Sequence, residues 1–251
     1  MIAGSAGGRS ALITGASRGI GSAISHRLAS IGYRLTVSSR NEADLERLAD
    51  NLRRVGSPKV VTCAVDVADH DLLPGLLAAH ERAFDSMNAL VLNAGVGTAG
   101  DLVDSERRRV DKVLAVNFLS AVEVLRLAIP LLRKGAESDP GRGARVIGLS
   151  SITGDYAEPG LAVYGASKAA LSSLLTAVGR EEGANGINAT SIAPGYVETD
   201  MTAWVTDRVP AEAMIRDEDV ADVVEMLVGL SREAVIDHIP ITRRTAGPYE
   251  A

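Results

Sequence analysis

The chain has 251 residues, of which 46% are hydrophobic, enough to bury a large core and suited to one α/β domain spanning 1–251 rather than two small ones. A net charge of -6 argues against nucleic acid as a partner. Cys63 is the only cysteine, which excludes an intrachain disulfide and a cysteine metal site, and no metal is expected. It stands in the apolar run "VVTCAVDV" and reads as a small buried hydrophobe. The first ten residues lack the apolar core of a signal peptide and no uninterrupted apolar run approaches ~18 residues, so no membrane partner and a cytoplasmic location are expected.

Short apolar, β-rich runs alternate with longer segments of helical period, the pattern of repeated βα units and a parallel sheet of about seven strands. The strands read "SALITG", "YRLTVSS", "KVVTCAV", "NALVLNA", "ARVIGLS", "INATSIA" and "VIDHIPIT". Helices are expected over 19–31, 41–55, 69–84, 105–134, 162–183 and 217–231, with irregular segments at "GAESDPGRGA", 97–104, 152–161 and 194–216. In such a doubly wound, Rossmann-type fold the ligand sits beyond the C-terminal ends of the strands, where most of these loops lie.

The first strand runs into "TGASRGIG", which opens the first helix. Gly15, Gly19 and Gly21, with Ser17, Arg18 and Ile20 between them, let the backbone turn tightly and bring helix amides against a pyrophosphate. About 20 residues on, where a carboxylate would bind a ribose hydroxyl, stand Ser38, Ser39 and Arg40. Arg40 and Arg18 favour the 2'-phosphate of NADP(H) over NAD(H), because guanidinium forks match phosphate oxygens. Within "AVYGASKAAL", Tyr164 and Lys168 are four apart and share a helix face. A phenol near pKa 10 is a weak acid at neutral pH, and a nearby ammonium would draw that value down.

Taken in order, "TGASRGIG", "NAG" (Asn93, Ala94, Gly95), Asn117 in "AVNFLSA", Ser150-Ser151, "YGASK" and "PGYVET" resemble the short-chain dehydrogenase/reductase family over residues 9–230. The resemblance implies an oxidoreductase moving hydride between a nicotinamide cofactor and a carbonyl or alcohol carbon. It implies that Tyr164 is the general acid, that Lys168 holds the nicotinamide ribose and lowers the tyrosine pKa, and that Ser151 polarises the substrate oxygen while Ser150 is structural. Asn117 would support a proton path to the lysine. By the same resemblance Asn93, Ala94 and Gly95 wall the adenine ribose, Asp66 and Val67 meet the adenine, and Pro194, Gly195, Val197 and Thr199 grip the carboxamide. Asp69, rather than Asp66, is expected to cap the following helix.

Within the family, "SRNEADLERLA" and "PGYVETDMT" resemble 3-oxoacyl-[acyl-carrier-protein] reductases, implying reduction of a ketone or 3-oxoacyl group. An alcohol, sugar or steroid dehydrogenase and a non-catalytic NADP-binding scaffold remain as alternatives. Arg180 or the run Arg107 to Arg109 could dock an acidic acyl carrier, solvated helix charges being the plainer reading. Residues 200–216 should form a short lid, in which Trp204 either lines the pocket or anchors the lid; Tyr156 and Pro159 are further pocket candidates. The chain departs from the family's glycine-rich ending, which leaves 235–251 open. "VLAVNFLSAVEVLRLAIPLL" is apolar nearly all round, which points to a homodimer or homotetramer paired through helices.

Overall fold

The computed structural model describes residues 8–244. Seven parallel strands form one sheet in the order β3-β2-β1-β4-β5-β6-β7. They are β1 (Ser10–Thr14), β2 (Arg34–Ser39), β3 (Val60–Ala64), β4 (Ala89–Leu92), β5 (Ala144–Leu149), β6 (Ile187–Pro194) and β7 (His238–Ile241). All seven expected strands form. The central ones are buried throughout, as near-continuous apolar runs covered on both faces must be. The order reverses between β1 and β4, which opens a crevice at the C-terminal ends of those strands.

Helices α1 (Gly19–Ser30), α2 (Glu42–Val55) and α8 (Asp217–Gly229) cover one face, where Ile24, Leu28, Leu45 and Val224 meet Ile13, Val37 and Ile147. On the other face lie α3 (Leu73–Phe84), α4 (Arg107–Leu114), α5 (Ser120–Ser138) and α7 (Ala162–Glu182). A third, smaller cluster of Ile152, Tyr196, Val205, Val209 and Met214 packs the lid. The segment 200–216, expected as a lid, contains two 3₁₀ turns, Asp200–Val205 and Ala211–Ala213. Thr199 opens it with a capping box: its backbone N–H donates to Thr202 Oγ1 at 3.2 Å.

Several expectations change. The helix expected over 105–134 starts at Arg107, passes through a widened π-turn at Ala115–Leu119 and continues to Ser138. It therefore takes in the first residues of "GAESDPGRGA" that the glycine and proline had marked as irregular. Gly135 is kept inside the helix because a Cβ there would lie 1.9 Å from the Met87 carbonyl oxygen, and the helix ends just before Asp139 and Pro140. Segment 152–161 contains the short helix α6 (Ile152–Asp155), capped by Ser151. Arg107–Ser138 is long and apolar enough to span a membrane by length and composition, with a mean hydropathy of 1.7 in its best window. Val124, Leu125, Ala128, Leu131 and Leu132 are buried with Leu90 and Val146, so the inner side of its second half belongs to the core. Its outer side keeps Leu119 45% exposed. The atypical C-terminus does form the last strand, whose Pro240 is tolerated because β7 is an edge. Residues 1–7 and 245–251, which the single-domain reading includes, lie outside the described residues.

Candidate active site

The turn after β1 is held by backbone contacts. Gly15 has φ +65°, and a Cβ on it would sit 2.8 Å from Ala94 Cα; one on Gly21 would sit 2.2 Å from the Gly15 carbonyl oxygen. Asn93 braces this turn by donating from Nδ2 to the Thr14 and Gly15 carbonyls at 3.0 and 2.8 Å. Thr14, which the sequence reading passed over, accepts at Oγ1 from the Asn93 and Ala94 amides. Asn93 thus serves the loop first, although it also faces the crevice.

A cavity of about 1100 Å³ runs along this crevice, larger than the ~300–1,000 Å³ usual for drug-sized ligands. Gly15, Ser17, Arg18, Gly19, Ile20 and Gly21 line one end of it. Arg40, Asp66, Val67, Asn93, Ala94 and Gly95 line it too, and Lys168, Pro194, Gly195, Val197 and Thr199 close it. Asn117 and Ser38 do not line it; Ser38 is fully buried.

The cavity fits an extended dinucleotide on two observations. Helix α1 begins without a side-chain cap and without an acidic residue in its first turn, which leaves its first amides for an anion. Ser39 Oγ, at the far end beside Arg40, is buried with no hydrogen-bond partner in the structure. The charges there differ from the expectation. Arg18 is paired with Asp200 at 3.0 Å, and Glu42 and Asp44 share the rim with Arg40. Asp66 is exposed and accepts from the Ala68 amide at 3.1 Å, while Asp69 accepts from the Asp71 amide and caps the next turn as expected. Cys63 is half-buried, and burial raises its thiol pKa.

The reactive side chains meet on α7 and at the end of β5. Gly165 lets α6 approach, since a Cβ there would be 2.6 Å from the Thr153 carbonyl oxygen. Lys168 is 4% exposed; its Nζ donates to the Leu149 carbonyl at 2.6 Å and stands 5.7 Å from the Tyr164 ring centroid. Burial pulls its pKa down to about 8. Burial also raises the Tyr164 pKa, and hydrogen bonding with Ser151 opposes it. The lysine was expected to lower the phenol; the phenol instead stands above its ordinary value, burial outweighing the Ser151 hydrogen bond, and the ammonium is turned to a carbonyl. Ser151 Oγ accepts from the Thr153 amide at 3.3 Å and from Thr153 Oγ1 at 3.0 Å. With its lone pairs so engaged, the serine's own proton is directed elsewhere. Thr153 is a positioning residue that the sequence reading missed. Ser150 is structural, donating to the Lys168 carbonyl at 2.9 Å and accepting from Ser172.

Asn117 lies in the π-turn, 2% exposed. Its Oδ1 accepts from the Val96 amide at 2.8 Å, and its Nδ2 donates to the Val96 carbonyl and to Ser167 Oγ at 3.0 and 3.1 Å. The side chain is therefore committed to the loop after β4. A Cβ placed on Gly95 would be 3.4 Å from Lys168 Nζ and 3.6 Å from Asn117 Oδ1, so these groups crowd one spot.

A second cavity, of about 580 Å³, abuts the first, and Ser151 and Tyr164 line both. Its other walls include Val113, Thr153, Leu161, Tyr196, Met201 and Trp204. Trp204 does both things considered for it: it lines the cavity, half exposed, and meets Tyr196 edge-on at 6.3 Å between centroids. Tyr156 and Pro159 do not line it; Leu161 and Tyr196 occupy that role, Tyr196 being held by donation to Glu158 at 3.1 Å.

Comparison with known proteins agrees with this geometry. The sequence model described as short chain dehydrogenase matches residues 9–209. A 3-oxoacyl-[acyl-carrier-protein] reductase, FabG, of Staphylococcus aureus is 31% identical over 229 residues, 87% of this chain and 90% of that protein. Sulfoacetaldehyde reductase 2 of Chromohalobacter salexigens is 32% identical over 223 residues, 85% of each chain. Among solved structures, a short chain dehydrogenase from Burkholderia cenocepacia in complex with NADP is 27% identical with a TM-score of 0.82, over 94% of this chain and 96% of that one. The chain belongs to the short-chain dehydrogenase family of NAD(P)-binding oxidoreductases.

Proposed function

We propose that the protein is an NADPH-dependent reductase that converts a ketone or 3-oxoacyl group to a secondary alcohol. The observation that carries this reading is that Ser151 and Tyr164 stand on the wall common to the two cavities, with Lys168 on the larger side only. The bound nicotinamide cofactor would supply hydride from the larger cavity to a carbonyl carbon in the smaller. Tyr164 donates its proton to the carbonyl oxygen, and a phenol that burial keeps protonated is suited to that direction. Ser151 donates its hydroxyl hydrogen toward the same oxygen and stabilises the charge that develops there. Lys168 holds the ribose, and Asn117 keeps the loop after β4 against it.

The α1 amides and Arg18 would face the pyrophosphate, Ser39 and Arg40 the adenosine 2'-phosphate, and Pro194, Gly195, Val197 and Thr199 the carboxamide. Preference for NADP(H) is part of this reading, supported by NADP complexes of relatives such as the one from Burkholderia cenocepacia. So are a cytoplasmic location, an acyl carrier as bearer of the substrate, and a homodimer or homotetramer that pairs the helix over 113–132 and the helix of Tyr164 across a two-fold axis. The test is a screen of NADPH and NADH oxidation with short 3-oxoacyl thioesters, diketones, sugars and steroids. Turnover of 3-oxoacyl thioesters or ketones with NADPH supports the reading; reduction of none of them with either cofactor overturns it. Sedimentation at micromolar concentration tests the assembly, which a monomer refutes.

A further inference from the structure

The smaller cavity is lined by four charged side chains: Arg18, Arg109, Lys112 and Asp200. Arg18 and Asp200 neutralise one another at 3.0 Å. Arg109 and Lys112 have no hydrogen bond or ion pair from their side chains among the described residues, so the cavity carries two uncompensated cations. Their neighbour Arg107, by contrast, is held by Asp111 at 2.7 Å and does not line the cavity. Asp101, Asp104 and Glu106, in the segment before α4, do not line it either. In a protein of net charge -6, two free cations over an apolar cleft are a local reversal of sign, and such a cleft concentrates anions.

The helix sets the distance. Arg109, Val113 and Asn117 are spaced four apart and share a face, which places Arg109 about 12 Å along the helix from Asn117. Side chains lean toward the helix N-terminus, so Arg109 reaches away from the catalytic end rather than back to it. Val113, Met201 and Trp204 supply the apolar stretch between. Lys112, five residues before Asn117, stands about 7.5 Å along the same axis, so Arg109 is the more distant of the two cations.

We infer that the carbonyl substrate carries an anionic group, separated from the carbonyl by an apolar spacer, and that Arg109 and Lys112 select it. This rests on the reductase reading above and names the substrate class for that same site. The probes are keto acids with a terminal carboxylate at increasing distance, 4-oxopentanoate, 6-oxoheptanoate and 8-oxononanoate, each paired with its methyl ester.

In the wild type, kcat/KM for the longer acids should exceed that of their esters by about fivefold, as an exposed ion pair provides, and the ratio should shrink with added salt. In Arg109→Ala/Lys112→Ala the acid-to-ester ratio should collapse toward one, chiefly through KM. Equal kcat/KM for acid and ester in the wild type, or a ratio that survives the double substitution, overturns the inference. Trp204, the only tryptophan, lines the same cavity, so its fluorescence reports binding in the presence of cofactor without turnover. Acid-selective binding that the double variant abolishes, with no reduction of acid or ester, would uphold this site and refute the reductase reading. Reduction of both without charge preference would do the reverse.

Discussion

The two cavities that meet at Ser151 and Tyr164 are built in different ways. The larger has along it the turn at Gly15 to Gly21, where backbone approaches backbone closely, the segment Asn93 to Gly95, and the end of β6. Glu42, Asp44, Asp66, Glu198 and Asp217 stand along it with Arg18, Arg40 and Lys168, and the uncapped first amides of α1 open onto it. The smaller draws its walls from at least five separate stretches and, among the described residues, leaves Arg109 and Lys112 unpaired. A cradle of amides suits a ligand common to many proteins, whereas side chains suit one chosen substrate.

Substitutions should separate these two halves. The largest effect is expected for Tyr164→Phe, which removes proton transfer and should lower kcat by ~10²- to 10⁴-fold. NADPH affinity, followed by nucleotide fluorescence, should change little; an unaltered kcat refutes the role. Next, Gly21→Ala drives a methyl group into the Gly15 carbonyl and Asn93 Nδ2, at 2.2 and 2.4 Å. Overpacking of this kind costs about 1–3 kcal/mol, so thermal stability should fall by several degrees and NADPH binding should weaken tenfold or more. Calorimetry and titration read both, and normal NADPH binding would break the view of a main-chain cradle.

Lys168 lines only the larger cavity, and its effect is pH-dependent. With a pKa pulled down to about 8, the ammonium is present below that value and lost above it. The rate of reduction should therefore decline as pH rises past about 8, by up to tenfold per unit. A profile flat to pH 10 would mean that the charge is not needed. The smallest effect is expected for Arg40→Ala. Arg40 is exposed and shares its rim with Glu42 and Asp44, so its contact with a 2'-phosphate should be worth at most about 1 kcal/mol. NADPH affinity should drop by up to about fivefold with NADH affinity unchanged; an equal change in both would end its role in cofactor choice.

How much was legible in advance follows the same division. Gly15 and Gly21 could be read because a tight turn into a helix needs glycine locally, and the β-rich runs because strands buried on both faces are continuous apolar stretches. Thr153 could not, because an isolated threonine carries no period or spacing; only the approach of α6 to α7 brings it to Ser151. Tyr156 and Pro159 were favoured by their place after the serines, yet Leu161 and Tyr196 line the cavity instead. The run to Ser138 was hidden by Gly135, whose local preference the close packing on Met87 overrides, whereas Asp139 and Pro140 do mark its end.

The sequence by itself determined the alternation of strands and helices, the place of the glycine turn and the pairing of Tyr164 with Lys168, since each depends on residues within a turn or two of one another. Tertiary structure alone decided the direction of the Lys168 ammonium, the engagement of Arg18 by Asp200, and the isolation of Arg109 and Lys112. Those are matters of which charges meet across the crevice. Residues 182 positions apart can cancel or spare a charge only once the chain has folded.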